Sequence, residues 1–266
     1  MKYSLKIYPI KAFEDNYIWV LHQGRQVVVV DPGEAVPVLE FLKKENLELS
    51  AVLVTHHHGD HTGGIHDLVH AFPDRKIKVY GPANENIPYL SEPLLGDEKI
   101  RVEGIEMDFE ILSIPGHTRG HLAYYGKHIG STGSLFCGDT LFGAGCGRLF
   151  EGTPYQMQSS LAKIASLPPQ TLCYCAHEYT LSNLRFAMVI EPQNLEIQNR
   201  IKQTQESRNH GEATVPFALE GELLTNPFLR WDSPEVRLAA SERLGHKAID
   251  PVEIFAAIRQ WKDIFK

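Results

Sequence analysis

Apolar residues in the first half of the chain come in short runs, each too brief for a helix. Two β-rich runs at 16–21 and 26–31 flank the turn His22-Gln23-Gly24-Arg25, which predicts an early hairpin. Residues 34–46 follow with Val38, Leu39 and Leu42 spaced for one helical face, and 51–55 is a short apolar run of the kind a buried strand shows. Further strands are expected at 76–80, 106–114, 121–125, 134–137 and 171–176, several of them ending at a Gly, Asp or His. Strand exits are where a rigid sheet can hold loop-borne groups in a fixed arrangement, so a site built from several loops is expected. After about Tyr179 the pattern changes to longer, charge-dotted helical stretches at 182–208, 234–244 and 251–265. The segment 209–226, with Gly211, Pro216 and Gly221, reads as a linker between them. A boundary at this change of texture divides the chain into domains 1–178 and 179–266.

With 266 residues, 43% hydrophobic and 22% charged, the chain can bury a sizeable core, which excludes disorder and a disulfide-dependent miniprotein. Lys2, Lys6, Lys11, Glu14 and Asp15 interrupt the first twenty residues, and no later run is apolar enough to span a bilayer. Together with only four cysteines, this predicts a cytoplasmic protein with free thiols and no membrane partner. Cys173 and Cys175, two apart on a strand, should share a buried face, and burial is expected for Cys137 and Cys146 as well. A net charge of -7 argues against a nucleic-acid partner, and an anionic small substrate would need a local basic patch.

The chain has 13 histidines, and His56, His57, His58, His61 and His66 all fall between positions 56 and 66. Thr55-His56-His57-His58-Gly59-Asp60-His61-Thr62-Gly63-Gly64 follows a strand directly and carries an H-x-H-x-D-H arrangement. Its imidazoles and carboxylate suit zinc, iron or manganese. Gly59 is expected to let the loop turn between donors, and Gly63-Gly64 to let the backbone pass close to them. His57, His66 and His70 read as structural or surface histidines. His117 after Pro115-Gly116, Asp139 after Cys137-Gly138 and His177 after the strand ending at Ala176 leave β runs in similar settings. Seven donors exceed the four that one tetrahedral zinc accepts, so the count favours two adjacent metals, about 3.5 to 4 Å apart, sharing a carboxylate such as Asp139. Asp31 reads equally as a carboxylate orienting an imidazole and as the start of an Asp-Pro-Gly turn.

H-x-H-x-D-H at 56–61, P-G-H-T-x-G-H at 115–121 and C-G-D-T-L-F at 137–142 resemble the metallo-β-lactamase superfamily. Within it the chain is most similar to the glyoxalase II, or hydroxyacylglutathione hydrolase, family. The likeness extends to Asp15-Asn16-Tyr17, Asp31-Pro32-Gly33, Ala144-Gly145-Cys146-Gly147-Arg148, His177-Glu178-Tyr179-Thr180 and Asn226-Pro227-Phe228-Leu229-Arg230. The resemblance implies an α+β fold, a four-layer αββα sandwich followed by a smaller C-terminal α-helical domain that contributes to glutathione binding. It implies two divalent metals, zinc first with iron or manganese compatible: His56, His58 and His117 on one, Asp60, His61 and His177 on the other, and Asp139 bridging. The implied reaction is hydrolysis of S-D-lactoylglutathione to D-lactate and glutathione, with a metal-bridging hydroxide as nucleophile and Asp60 and Asp139 as its catalytic carboxylates; apart from the resemblance, a monomer is expected.

Arg148, Tyr179, Arg259 and Lys262 match the family's substrate-contacting positions, although Arg148 stands where a lysine is expected and Phe150 where a tyrosine is. His121 is expected to be structural. Other members of the superfamily share much of the donor set. The acidic balance disfavours a nuclease, the lack of an export signal disfavours a β-lactamase, and the helical C-terminus favours the thioesterase over a glutathione persulfide dioxygenase.

Overall fold

Four consecutive valines, Val27 to Val30, sit at the centre of the first sheet and are buried on both faces, as β-branched residues in a sheet covered on two sides should be. The computed structural model describes residues 5–265; Met1 to Ser4 and Lys266, the outermost positions of the two expected domains, lie outside the described residues. The chain divides into two units, Met1–Ser113 with Gly120–Gly138, and Ile114–Arg119 with Asp139–Lys266.

In the first unit, β1 (Lys6–Ala12), β2 (Asn16–Gln23) and β3 (Gln26–Val30) form an antiparallel meander. Strand β2 runs two residues beyond expectation, leaving Gly24 and Arg25 as the turn, with Gly24 at φ 63°. Helix α1 (Val36–Glu45) lies inside the expected span and ends at Asn46, whose left-handed conformation (φ 52°) lets its N–H reach the Leu42 and Lys43 carbonyls. Then β4 (Glu48–Leu53), β5 (Lys78–Pro82) and β6 (Glu92–Leu94) join in parallel, with α2 (Gly59–Thr62) and α3 (Ile65–His70) between β4 and β5. Alternation decides the packing. Val27 and Val29 join Val20, Val52 and Val79 in a cluster with Val38 and Leu42 of α1 and Ile65 and Leu68 of α3. Each such side chain contributes about 1.5–3 kcal/mol by leaving water.

The strands β7 (Lys99–Val102), β8 (Met107–Ser113), β9 (Leu122–Gly126) and β10 (Ser134–Gly138) pair antiparallel in that order. The buried Tyr124 hydroxyl donates to the Val54 carbonyl at 2.8 Å, tying β9 to the exit of β4.

The second unit opens with a small hairpin, β11 (Leu141–Phe142) and β12 (Gly145–Cys146), followed by α4 (Pro154–Ala165). Thr153 and Gln156 close a capping box at the start of α4. Strand β13 (Leu172–Cys175) leads to α5 (Thr180–Ile190) and α6 (Leu195–Asn209). The single helix expected over 182–208 is therefore two, because Pro192 cannot continue α5 and Asn194 caps α6 with its side-chain oxygen. The stretch read as a linker is also largely ordered. It holds β14 (Phe217–Ala218), paired with β13, and α7 (Leu219–Thr225), which buries Leu219, Glu222 and Thr225 along one face. Helices α8 (Pro234–Leu244) and α9 (Pro251–Ile264) match their expected spans. All four cysteines are buried free thiols, and no described helix is long and apolar enough to cross a membrane.

Candidate metal centre and substrate cavity

The chain leaves β4 through Thr55 and enters the histidine loop. His56 and His61 are fully buried with ring centres 4.0 Å apart. His56 Nε2 stands 3.1 Å from His58 Nδ1, and His61 Nε2 stands 3.5 Å from Asp60 Oδ2. Asn16 Nδ2 donates to the same Asp60 oxygen at 3.1 Å, fixing the carboxylate.

Behind this row lies Asp31. Its Oδ1 accepts from the Thr55 backbone N–H and its Oδ2 from the Thr55 hydroxyl, each at 2.8 Å. Because that hydroxyl donates to Asp31, its oxygen accepts from His56 Nδ1, 3.0 Å away, which leaves the lone pair of His56 on Nε2. Asp31 Oδ2 also stands 3.1 Å from His61 Nδ1, so one carboxylate faces His61 directly and His56 through Thr55. The Asp-Pro-Gly turn is present too: the Gly33 N–H donates to the Asp31 carbonyl, and Asp31 is held at φ 52°. A left-handed aspartate in the interior is a strained residue kept in place by its surroundings.

His57 turns away from this row. Its backbone N–H donates to Glu85 Oε2 at 2.7 Å and its Nδ1 lies 3.0 Å from the same oxygen, while Glu85 Oε1 accepts from the Gly120 N–H at 2.8 Å. Glu85 thus clamps the histidine loop to the loop that precedes His121. His121 is fully buried and stacks on His56 at 4.7 Å, and His66 and His70 are exposed on α3. The glycine expectation is corrected in part. A Cβ on Gly59 would meet nothing within 4 Å, whereas one on Gly63 would lie 2.7 Å from the Gly33 carbonyl oxygen and one on Gly64 2.6 Å from the Ala35 nitrogen. Gly59 merely starts α2, and the close approach falls at the other two.

In the second unit His117, Asp139 and His177 come together, all buried. His117 Nδ1 donates to the Arg148 carbonyl at 2.9 Å, which directs its Nε2 lone pair at Asp139. Nε2 of His117 lies 3.4 Å from Asp139 Oδ2, and Nε2 of His177 lies 3.4 Å from Asp139 Oδ1. Those separations are long for hydrogen bonds. They match the edge of a tetrahedron, since two donors each about 2.1 Å from one ion stand roughly 3.4 Å apart. The donor set therefore fits metal ligation, with the two oxygens of one carboxylate facing different imidazoles. Gly147 makes the arrangement physically accessible, because a Cβ there would lie 2.0 Å from the Asp139 carbonyl oxygen and 3.1 Å from His117 Nδ1.

A cavity of about 390 Å³ opens on these residues, lined by His117, Asp139, Phe142, Tyr179, Arg148 and Lys262 among others. Tyr179 stacks on His177 with ring centres 4.8 Å apart. Phe150 is 63% exposed and sets its ring edge-on to His117. Arg148 is exposed, with Nε 3.5 Å from Asp263. Arg259 is only 4% exposed. Its Nη1 donates to the Cys146 carbonyl at 2.9 Å, its Nη2 to Asp263 at 3.1 Å, and its guanidinium lies 5.1 Å from the Phe228 ring centre. Burial, reinforced by repulsion from Arg259 and Arg148, pulls the Lys262 ammonium down to a pKa of about 8.

The cavity's hairpin is pinned from α5 and α7. Asn183 Nδ2 donates to the Gly143 carbonyl at 3.1 Å, Glu222 Oε2 accepts from the Ala144 N–H at 2.8 Å, and Asn226 Nδ2 donates to the Gly145 carbonyl at 3.0 Å. Thr55, Glu85 and Glu222 escaped the sequence reading. Asn16 and Asn226 lie in the motifs quoted for the resemblance, which was the available signal.

Residues 13–177 match the family model of the metallo-β-lactamase superfamily, and residues 178–265 match that of the hydroxyacylglutathione hydrolase C-terminus. The hydroxyacylglutathione hydrolase of Nitrosomonas eutropha is 48% identical over 262 residues, covering 98% of this chain and 100% of that one. The chain belongs to the hydroxyacylglutathione hydrolase family. It is thus a metal-dependent hydrolase, with the metallo-β-lactamase fold and the family's helical C-terminus, as the resemblance implied. A metallo-β-lactamase from Staphylococcus aureus superposes with a TM-score of 0.64 over 98% of this chain and 72% of its own, at 17% identity, a likeness of fold. A protein solved in a di-iron-bound form is 28% identical, with a TM-score of 0.54 over 64% of this chain and 91% of its own.

Proposed function

We propose that this hydroxyacylglutathione hydrolase family member cleaves S-D-lactoylglutathione to D-lactate and glutathione, the second step in disposal of methylglyoxal. The observation that carries the reading is Asp139, whose two oxygens each stand 3.4 Å from a different histidine nitrogen at the wall of a cavity that Lys262 and Arg148 also line. His56, His58 and His117 would hold one metal, Asp60, His61 and His177 the other, with Asp139 shared between them. The close approach of His56 to His58 and of Asp60 to His61 supports that partition. Five imidazoles and two carboxylates suit zinc, with iron and manganese as alternatives. Two family matches meeting at 177 and 178 support a boundary between a catalytic domain 1–178 and a helical domain 179–266. Four free thiols support a cytoplasmic setting, and a monomer suffices for a small soluble thioester.

The reaction adds water across the C–S bond, oxygen to the acyl carbon and a proton to sulfur. When bound, two divalent ions lower the pKa of water from 15.7 to about 7 and polarise a carbonyl oxygen. The chain's own residues position the donors and the substrate. Thr55 sets the tautomer of His56 and the Arg148 carbonyl that of His117, while the Asp31 carboxylate stands against His61. Lys262, Arg148, Tyr179 and Arg259 line the cavity where the glutathione carboxylates and backbone bind, and Arg259 also holds the Cys146 carbonyl in the wall. A thiolate leaves readily, so no strong side-chain acid is needed. Purified enzyme assayed with S-D-lactoylglutathione, with metal content and oxygen uptake followed in parallel, tests the reading. Hydrolysis with two metals per chain and no oxygen consumed is expected. A single ion at full loading, or undiminished hydrolysis by Asp139→Ala after chelation, would overturn it.

A further inference from the structure

Away from the residues assigned above, α3 presents a second pair of imidazoles in a geometry suited to chelation. His66 and His70 are four residues apart, one helical turn, so their side chains share a face. Their rings stack with centres 4.2 Å apart and an interplanar angle of 24°. Both tautomers are set by acceptors that can only accept. His66 Nδ1 donates to Asp67 Oδ1 at 2.8 Å, and His70 Nδ1 donates to the His66 carbonyl at 2.9 Å. Nε2 is then the lone-pair nitrogen of each ring, and the carboxylate behind His66 raises the basicity of its imidazole.

A third residue holds the pair. The Tyr89 ring stands edge-on to both imidazoles, 5.7 Å from His66 and 5.6 Å from His70. Tyr89 sits at φ 57°, which an aromatic residue adopts only at a cost. With the rings restricted before any ion arrives, less side-chain entropy is lost on binding. We propose that His66 and His70 form a surface chelate for a borderline divalent metal such as zinc, copper(II) or nickel, steadied by Tyr89 and separate from the hydrolytic donors. Two imidazole nitrogens on one ion lie about 3 Å apart, which exposed rings at this spacing reach by small rotations.

The enzyme with its hydrolytic metals fully loaded would be titrated with Zn²⁺ alone, and bound metal counted by equilibrium dialysis and elemental analysis. One further zinc per chain is expected. His66→Gln and His70→Gln should each weaken its binding at least about tenfold, because each removes half of the chelate, while His128→Gln, at another exposed histidine, should not. Hydrolysis should persist in all three, which shows that they are folded. No further zinc on the parent enzyme, or one bound equally well by both α3 variants, would overturn the assignment.

Discussion

Raising the pH from 7 to 9 should weaken substrate binding by discharging Lys262. Its pKa of about 8 arises first from burial and then from the guanidinium groups of Arg259 and Arg148. Roughly nine-tenths of the side chain is charged at pH 7 and about one-tenth at pH 9, whereas a free lysine, titrating near 10.4, would remain an ammonium throughout. If the charged form alone holds a glutathione carboxylate, KM rises about five- to tenfold over that interval. The ammonium acts on a remote part of the substrate, so kcat should hold. Lys262→Arg keeps a cation at every pH in the range and should flatten the profile. Folding moves in the opposite sense. Between about 8 and 10.5 the unfolded chain binds more protons at this position than the folded one, so the Lys262 contribution becomes less destabilising as pH rises through that window, and below it the cost is present in full. Initial rates corrected for spontaneous thioester hydrolysis would give the KM profile. A flat KM in the parent enzyme, or the same rise in Lys262→Arg, would refute the reasoning.

Asp31→Asn removes the charge that orients His56 and His61 and should cost about 10- to 100-fold in metal affinity or activity; metal per chain after desalting, with kcat/KM, checks this, and unchanged values would count against the relay. Gly147→Ala drives a methyl group into the Asp139 carbonyl, 2.0 Å away, and should lower kcat about a hundredfold with circular dichroism unchanged. Phe150→Tyr adds a hydroxyl to an exposed ring of the cavity wall and should lower KM for lactoylglutathione about 2- to 10-fold, the worth of one hydrogen bond. An equal or higher KM would remove that position from the binding surface.

Much of this molecule was legible because its periodicities are clean. The β2–β3 hairpin, α1 and the strands leading to His56, His117 and His177 follow from alternation and turn residues, and these candidate donors stand just beyond the strand ends. Failures came where one signal outweighed another. Strand β1, with Pro9 and an exposed outer face, lacks the alternation of a half-buried strand and was missed, although an edge strand tolerates that proline. Gly221 read as a breaker, yet it lies inside α7 with open space around it. Lone acids such as Glu85 and Glu222 look like solvated surface in one dimension, and only the backbone N–H groups they accept from reveal their work. Arg259 reads in the sequence as a substrate-contacting cation, and only the folded chain adds the Cys146 carbonyl, Asp263 and the Phe228 ring as partners of its buried guanidinium.

The hairpin of residues 141–146 leaves the ribosome long before the groups that brace it. Glu222 and Asn226 are synthesised some eighty residues later, and Arg259, which grips Cys146, is 113 positions downstream of it. A nascent chain can therefore display every candidate metal donor while the cavity wall still lacks its supports. Chains truncated ahead of α9 should bind ions yet turn over thioester poorly, which delays competence until α9 has been made.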